Sequence, residues 1–174
     1  MSEETIEIVD EHDEVVGLRL RSEVHAQELR HRAVHILVFN KIGELFLQKR
    51  SMKKDCFPGT WDSSAAGHVD PEETYDDCAV RELCEELGIV LSEPLTKLFR
   101  IDACPETGQE FAWVYQYESE GPFDLEAEEI ECGDWFMPGH ITRWIEERPG
   151  DFAGAFPLIW QMVADKRASR VEFQ

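Results

Sequence analysis

The sequence predicts an α+β fold with the architecture of a mixed α/β sandwich. Three observations support this: short strand-like segments precede, surround and follow one central helix, 174 residues suit one domain with a real core, and neither an internal repeat nor a linker is visible. A hydrophobic content of 43% with 10% aromatic residues is typical of a globular chain and argues against disorder. We therefore expect residues 1–174 to form a single domain.

The first third of the chain is predicted to contain two β-hairpins. IEIVD and EVVGLRLR flank the turn EHDE and give a hairpin extension within residues 1–30. Residues 33–40 (AVHILVFN) and 44–50 (ELFLQKR) flank NKIG, which is a second hairpin signal. The loop SMKKDCFPGTWDSS then leads into a short strand, AAGHV, which delivers the chain to the central helix.

The central helix is predicted from Tyr75 to Leu87. Thr74 is a suitable N-cap because Asp77 follows at capping-box spacing, and Gly88 stands where a left-handed C-terminal cap belongs. Further on, TKLFRIDA and EFAWVYQYE are predicted as paired strands around CPETGQ. A short strand DWFM, a helix through HITRWIEE and an amphipathic helix through FPLIWQMVADKR complete the prediction.

Charge and composition exclude several classes of partner. The formal net charge of -20 makes nucleic-acid polymers and anionic membranes poor partners, whereas a small phosphate ester could bind if divalent cations neutralise local carboxylates. No apolar run approaches the roughly 18 residues that cross a bilayer, and the N-terminus is acidic rather than signal-like. Five cysteines without a CxxC pair favour a reduced, cytoplasmic protein with unpaired thiols.

The segment RELCEELG carries three glutamates, Glu82, Glu85 and Glu86, on one face of the central helix. Like charges at this spacing destabilise an isolated helix by several tenths of a kcal/mol per pair. Taken alone, the segment is therefore interpreted either as a solvated acidic face or as a site for a multivalent cation.

The wider spacing favours the cation site. Gly67 is followed after five residues by Glu73 and after seven more by Arg81, so that residues 67–89 resemble the Nudix box, G-x5-E-x7-R-E-U-x-E-E-x-G-U, at every specified position. The chain is thereby identified as similar to the Nudix hydrolases. This resemblance implies the Nudix fold, a central mixed β-sheet flanked by helices, here with an N-terminal hairpin extension.

The resemblance also implies roles for the box residues. Glu82, Glu85 and Glu86 are the expected principal ligands of magnesium, with manganese as a possible substitute, and the Gly67 carbonyl assists them. Arg81 and Glu73 are expected to support these ligands. The alternative for Glu73 is direct ligation of the metal.

The general base is sought outside the box. EEIECGDWF resembles the loop from which several Nudix enzymes supply a catalytic glutamate, and Glu129 is the candidate there. A solvated acidic loop is the equal alternative for this segment. Glu110, at the start of EFAWVYQYE, is a second candidate.

Candidate substrate contacts come from a basic cluster and from single residues. The cluster holds Lys49, Arg50, Lys53 and Lys54, and it could engage a diphosphate, although a solvated basic loop is an equal interpretation. His68, next to Gly67, lies close to the expected metals. Trp61 is a candidate for stacking on a nucleobase, with a core role as its alternative.

Upstream of the box, HRAVHILVFN, LQKR and FPGTWDSSAAGH resemble the isopentenyl-diphosphate isomerase branch of the superfamily. In those enzymes histidines and glutamates bind metal, and His25, His31 and His68 fall at or near the histidine positions. The isomerases also need a cysteine where this chain has Ala66. We therefore interpret the chain as a hydrolase on an isomerase-like framework and expect structural or substrate-contact roles for His25, His31 and His35.

The leading hypothesis is a magnesium-dependent hydrolase that cleaves a nucleoside diphosphate linked to a group X by attack of water at phosphorus. Isopentenyl-diphosphate isomerase is the first alternative. A non-catalytic nucleotide-binding module of the same fold is the second. The expected partner is a small diphosphate, and a homodimer is left open.

Overall fold

The protein was analysed as a computed structural model, which describes residues 3–171. Its centre is a seven-stranded mixed sheet in the order β5-β4-β3-β8-β7, with β6 pairing with β3 and β9 with β4. The strands are β1 Thr5–Val9, β2 Val15–Leu20, β3 His31–Phe39, β4 Leu45–Arg50, β5 Trp61–Asp62, β6 Ala65–His68, β7 Thr96–Ile101, β8 Glu110–Glu118 and β9 Ile130–Phe136. The helices are α1 Arg21–Ala26, α2 Tyr75–Leu87, α3 Pro138–Glu147 and α4 Phe156–Val171. The predicted α+β class is confirmed.

Strand β3 lies between two layers of helices. Because side chains alternate across a strand, Val34, Ile36 and Val38 pack in the core on the α2 side of the sheet. Leu37 and Phe39 pack in a second core with residues of α3 and α4. Burial on both faces explains why β3 is an almost continuous apolar run, and it makes the sheet the middle layer of a sandwich.

The two predicted hairpins have different outcomes. The first is confirmed, since β1 and β2 pair antiparallel along their whole length and form a separate two-stranded sheet. In the second, the turn after Asn40 is present, but the only paired position between β3 and β4 is Phe39 with Leu45. Beyond it the strands diverge, because β3 pairs with β6 and runs parallel to β8, whereas β4 pairs with β9. This divergence opens the space that becomes the site.

Helix α2 begins and ends as predicted. The Asp77 amide donates to Thr74 Oγ1 at 3.1 Å, and Gly88 has φ 67°, a left-handed conformation that glycine adopts without a Cβ clash. The two caps therefore fix where α2 begins and ends, and with it the position of the three box glutamates along the helix.

Three elements differ from the sequence prediction. Helix α1 and strand β5 were not predicted. Helix α1 has only six residues, which is too short to show an apolar periodicity, and β5 has only two. Strand β9 begins at Ile130 rather than at Asp134, so Glu131 lies within the strand and not in the loop before it.

Two observations concern the thiols and the membrane. All five cysteines are free in the structure, as expected. Within residues 3–171 we find no helix with the length and apolarity required to cross a membrane.

Candidate active site

A cavity of about 1120 Å³ opens where β3, β6 and α2 meet. Loops around residues 50–57, 105–110 and 126–129 form its rim. Most of the candidate site residues line it. These are Arg50, Lys54, Gly67, His68, Glu82, Glu85, Glu86 and Glu129.

The three box glutamates have unequal environments. Glu82 and Glu86 are buried, with 8% and 6% of their surface exposed, whereas the side chain of Glu85 is 59% exposed. Burial raises the pKa of Glu82 to about 7. Burial, together with the charge of Glu82, raises the pKa of Glu86 to about 8. Without added positive charge, this pair therefore holds protons near neutral pH.

Arg81 is the cation nearest these carboxylates. Its guanidinium donates to both oxygens of Glu73 at 2.9 Å, to Glu82 at 2.7 Å and to Glu85 at 3.1 Å. It also donates to the His68 carbonyl at 3.1 Å, which ties α2 to β6. Glu73 does not line the cavity, so the geometry favours the supporting role over direct ligation.

Glu86 is held from the opposite side by β4 and β6. Gln48 Nε2 donates to Glu86 Oε2 at 2.7 Å and to the Ser64 carbonyl at 3.2 Å, while the Ala66 amide donates to Glu86 at 3.3 Å. The sequence prediction missed Gln48. Its signal was available, because Gln48 is a polar residue two positions after Phe46 on the buried face of β4.

Gly67 leaves room for Glu82. A Cβ at position 67 would lie 2.0 Å from Glu82 Oε1, which is less than any real contact. The glycine is therefore required by close approach of a side chain, and Gly67 has no unusual φ.

Replacing Gly67 with alanine is expected to push the Glu82 carboxylate aside. We expect magnesium affinity to fall about tenfold, as it does when groups that orient ligands are removed. Because the glutamate can rotate, the melting temperature should change by less than about 2 °C. Titration calorimetry with MgCl2 measures the affinity. Gly139→Ala on α3, where an added Cβ meets nothing within 4 Å, is the matched control. An unchanged affinity in the Gly67 variant would contradict the prediction.

Three histidines converge at the other end of the cavity, where His25 and His68 line it and His31 is buried next to them. The rings of His25, His31 and His68 have centroids 5.1 to 5.5 Å apart, and one ligand atom of each lies within 4.8 Å of the others. Among residues 3–171, the buried His31 Nε2 has no hydrogen-bonding partner, although it lies 3.4 Å from Glu110 Oε1. His35 lies apart from this trio, 3.0 Å from Ser63 Oγ.

Glu110 is unsuited to act as a base in this state. His31 and His68 lie beside its carboxylate, both at 3.4 Å, and these close polar contacts hold its pKa well below the usual range despite its burial. Glu4 contacts the other ring nitrogen of His68 at 3.3 Å. The two carboxylates outweigh burial and raise the pKa of His68 to about 9. Glu110 is therefore paired with a cationic histidine.

Glu129 lies on the cavity and forms an ion pair with Lys54. Three of the other predicted substrate contacts, Lys49, Lys53 and Trp61, do not line the cavity. Lys49 pairs with Glu131 at 3.1 Å and does not line the cavity. Trp61 also lies off the cavity and packs against Phe136 and Trp144, because its strand faces the α3 side of the sheet.

The box carboxylates fit a divalent metal. They supply the hard oxygen donors that magnesium prefers, and the raised pKa values of Glu82 and Glu86 indicate a shortage of positive charge around them. Their oxygens do not converge as closely as the histidine nitrogens do, since Arg81 lies between Glu82 and Glu85. On metal binding, metal–carboxylate contacts would therefore replace some of the hydrogen bonds that Arg81 donates to Glu82 and Glu85.

Known proteins share this sequence and fold. Residues 29–153 match the NUDIX domain family model. The chain is 37% identical over 158 residues to an uncharacterized Nudix hydrolase of Yersinia pestis, covering 89% of this chain and 85% of that protein. It is 34% identical over 174 residues to the uncharacterized Nudix hydrolase YfcD of Escherichia coli K12, covering 98% and 94%.

A solved structure agrees with these relatives. The crystal structure of DR0079 from Deinococcus radiodurans superposes with a TM-score of 0.79 at 29% identity, covering 93% of this chain and 98% of that one. The family model, the relatives and the fold agree with the intact box on α2. The chain therefore belongs to the NUDIX domain family and is a Nudix hydrolase.

Proposed function

We propose that the protein is a magnesium-dependent hydrolase of a nucleoside diphosphate linked to a group X, and that residues 1–174 act as one domain. The observation that carries this proposal is the position of Glu82, Glu85 and Glu86 on a cavity large enough for a nucleotide. Two of these carboxylates are buried with raised pKa values, so the site lacks the charge that a divalent cation would bring.

The box residues would divide the work of holding the metal. Glu82, Glu85 and Glu86 would bind magnesium together with the Gly67 carbonyl, while Arg81 and Glu73 keep the glutamates oriented. Magnesium, when bound, supplies positive charge that offsets the charge developing on the diphosphate during substitution at phosphorus. Gln48 and the Ala66 amide hold Glu86 from the far side.

The remaining cavity residues would act on water and substrate. Glu129 is proposed as the base that removes a proton from the attacking water, since it lies on the same cavity as the box and, unlike Glu110, is not held by two histidines. Arg50, Lys54 and the protonated His68 would bind the phosphates. Manganese is expected to replace magnesium with similar ligands.

A substrate panel tests the proposal. The protein is incubated with nucleoside diphosphates, triphosphates and diphosphate-linked nucleosides in MgCl2, and the products are identified by mass spectrometry. We expect cleavage of at least one diphosphate, dependence on magnesium and loss of cleavage in Glu85→Gln. If no diphosphate is cleaved, or if the variant cleaves as fast as the parent, the proposal fails. Tight nucleotide binding without turnover would instead support the non-catalytic module.

One observation favours isopentenyl-diphosphate isomerase as a second candidate. His25, His31, His68 and Glu110 gather as they would to hold a metal of the isomerase type. Against it, Ala66 has no proton to transfer to or from the substrate. We therefore expect no isomerisation of isopentenyl diphosphate by the parent protein. Detection of the isomeric diphosphate by NMR would favour this candidate over the hydrolase.

A further inference from the structure

Three lysine–glutamate pairs join two segments along one rim of the cavity. The pairs are Lys49–Glu131, Lys53–Glu128 and Lys54–Glu129. The backbone joins the same segments, since the Ser51 amide donates to the Glu129 carbonyl at 2.8 Å. The position of this rim therefore does not depend on the three side-chain pairs alone, and any one of them can open while the segments stay together.

Lys54 differs from its two neighbours in the row. It lines the cavity, and its side chain is only 21% exposed, whereas Lys53 is 63% exposed and lies off the cavity. Its partner Glu129 also lines the cavity and is 38% exposed. Lys54–Glu129 is thus the pair of the row with both members on the cavity, whereas Glu128 lines the cavity without Lys53.

The other strong cations of the cavity are held by several groups. Arg50 donates to Asp62 at 3.1 Å and twice to the Cys56 carbonyl, at 3.0 and 3.2 Å. Arg21 donates to both oxygens of Asp55, at 2.6 and 3.0 Å, and contacts Glu4 at 3.3 Å. Among residues 3–171, Glu129 is the single hydrogen-bonding partner of the Lys54 ammonium. Lys54 is therefore the cation that can turn towards a ligand by breaking one ion pair.

The charge of the cavity makes such a cation necessary. Eleven of the residues that line it are Asp or Glu, and three are Lys or Arg. This lining repels a diphosphate, and a cation that turns towards the phosphates would add to the positive charge that magnesium supplies. A single lysine–glutamate pair that solvent still reaches contributes little stability, whereas an ammonium that donates to a phosphate oxygen forms a stronger charge-assisted bond.

We propose that Lys54 is a transferable counter-ion. In the substrate-free protein its ammonium pairs with Glu129, and on binding it moves to a phosphate oxygen of the diphosphate, which leaves the Glu129 carboxylate uncovered inside the cavity. This inference rests on the proposed function and deepens it. It couples the phosphate contact of Lys54 to Glu129 and makes the availability of Glu129 depend on the presence of substrate.

Calorimetric titration with methylenediphosphonate, a diphosphate that cannot be cleaved, tests the exchange in excess MgCl2. Lys54→Met should weaken binding about tenfold or more, and Lys54→Arg should keep it within about threefold of the parent. Glu129→Gln should tighten binding about two- to fivefold, because Lys54 then has no competing carboxylate. The double variant Lys54→Met/Glu129→Gln should lose that gain.

Lys97→Met is the control, since it removes an exposed lysine–aspartate pair, Lys97–Asp76, whose two members lie off the cavity, and its affinity should stay within about twofold of the parent. Thermal melting checks that each variant is folded. An unchanged affinity in Lys54→Met, weaker or equal binding in Glu129→Gln, or no binding by the parent overturns the exchange. These outcomes are separate from the proposed function, which fails if the parent cleaves no diphosphate of the panel or if Glu85→Gln cleaves as fast as the parent.

Discussion

Replacing Glu86 with glutamine is expected to lower kcat about 1000-fold while the protein stays folded. Glutamine has the same shape, and its carbonyl oxygen can still accept the hydrogen bond from Gln48 that Glu86 accepts at 2.7 Å. What is lost is one of the three negative charges that would hold magnesium. A loss of about 4 kcal/mol of transition-state stabilisation corresponds to this factor. Steady-state kinetics on a substrate found in the panel measures it.

The same variant should change how stability depends on pH. Glu86 has a pKa of about 8 in the folded, metal-free protein, above its ordinary value of 4.5. The folded state therefore binds more protons than the unfolded chain between these values, and its stability falls as pH rises through this range. Glutamine does not titrate, so this part of the decline disappears.

In EDTA, the free energy of unfolding of the parent should fall by about 2 kcal/mol between pH 6.5 and 8 because of the titration of Glu86. His68, with a pKa raised to about 9, adds a decline in the same direction above pH 6.5. Glu86→Gln should therefore melt at least about 4 °C above the parent at pH 8 and show a shallower slope. Glu146→Gln, an exposed change on α3, is the control and should follow the parent. If Glu86→Gln kept the parental kcat, Glu86 would not be a ligand of the catalytic metal.

The elements of the fold were predictable to the extent that their signals are local. Helix α2 was found with both ends correct, because Thr74 and Gly88 act on their own neighbours along the chain. The limited pairing of β3 with β4 was not predictable. A turn signal fixes where a chain reverses, but the partners of the two strands depend on β6, β8 and β9, which lie far away in sequence.

The candidate site was likewise predictable only where its signals are local along the chain. The box spacing placed Glu82, Glu85 and Glu86 on the cavity because all three lie on one helix. The sequence marks Gln48 as a polar residue in an apolar strand, but it does not show that Glu86 is its partner or that Lys54 covers Glu129, since these partners are 38 and 75 residues apart. Trp61 was misplaced for a related reason. An aromatic residue beside a polar loop suits a ligand and a core equally well, and only the direction of its strand decides between them.

The second large effect is expected from Arg81. Replacing it with methionine keeps most of the apolar stem but leaves Glu73, Glu82 and Glu85 without the guanidinium that contacts all of them. Breaking a buried ion pair by removing one partner lowers the free energy of unfolding by about 3 to 5 kcal/mol. Because Arg81 is partly exposed, we expect a loss near the lower value. For a chain of this size, the melting temperature should fall by about 6 to 12 °C.

Magnesium should restore part of this loss, and the size of the recovery is informative. A cation held by the box can replace the guanidinium beside Glu82 and Glu85, but not beside Glu73, which lies off the cavity. Thermal melting in EDTA and in MgCl2 should therefore show a larger magnesium shift in Arg81→Met than in the parent, without full recovery. Arg148→Met, which removes an exposed pair with Asp151, should shift the melting temperature by less than about 3 °C in both buffers. Equal magnesium shifts in Arg81→Met and the parent would mean that the metal and Arg81 do not share the same carboxylates.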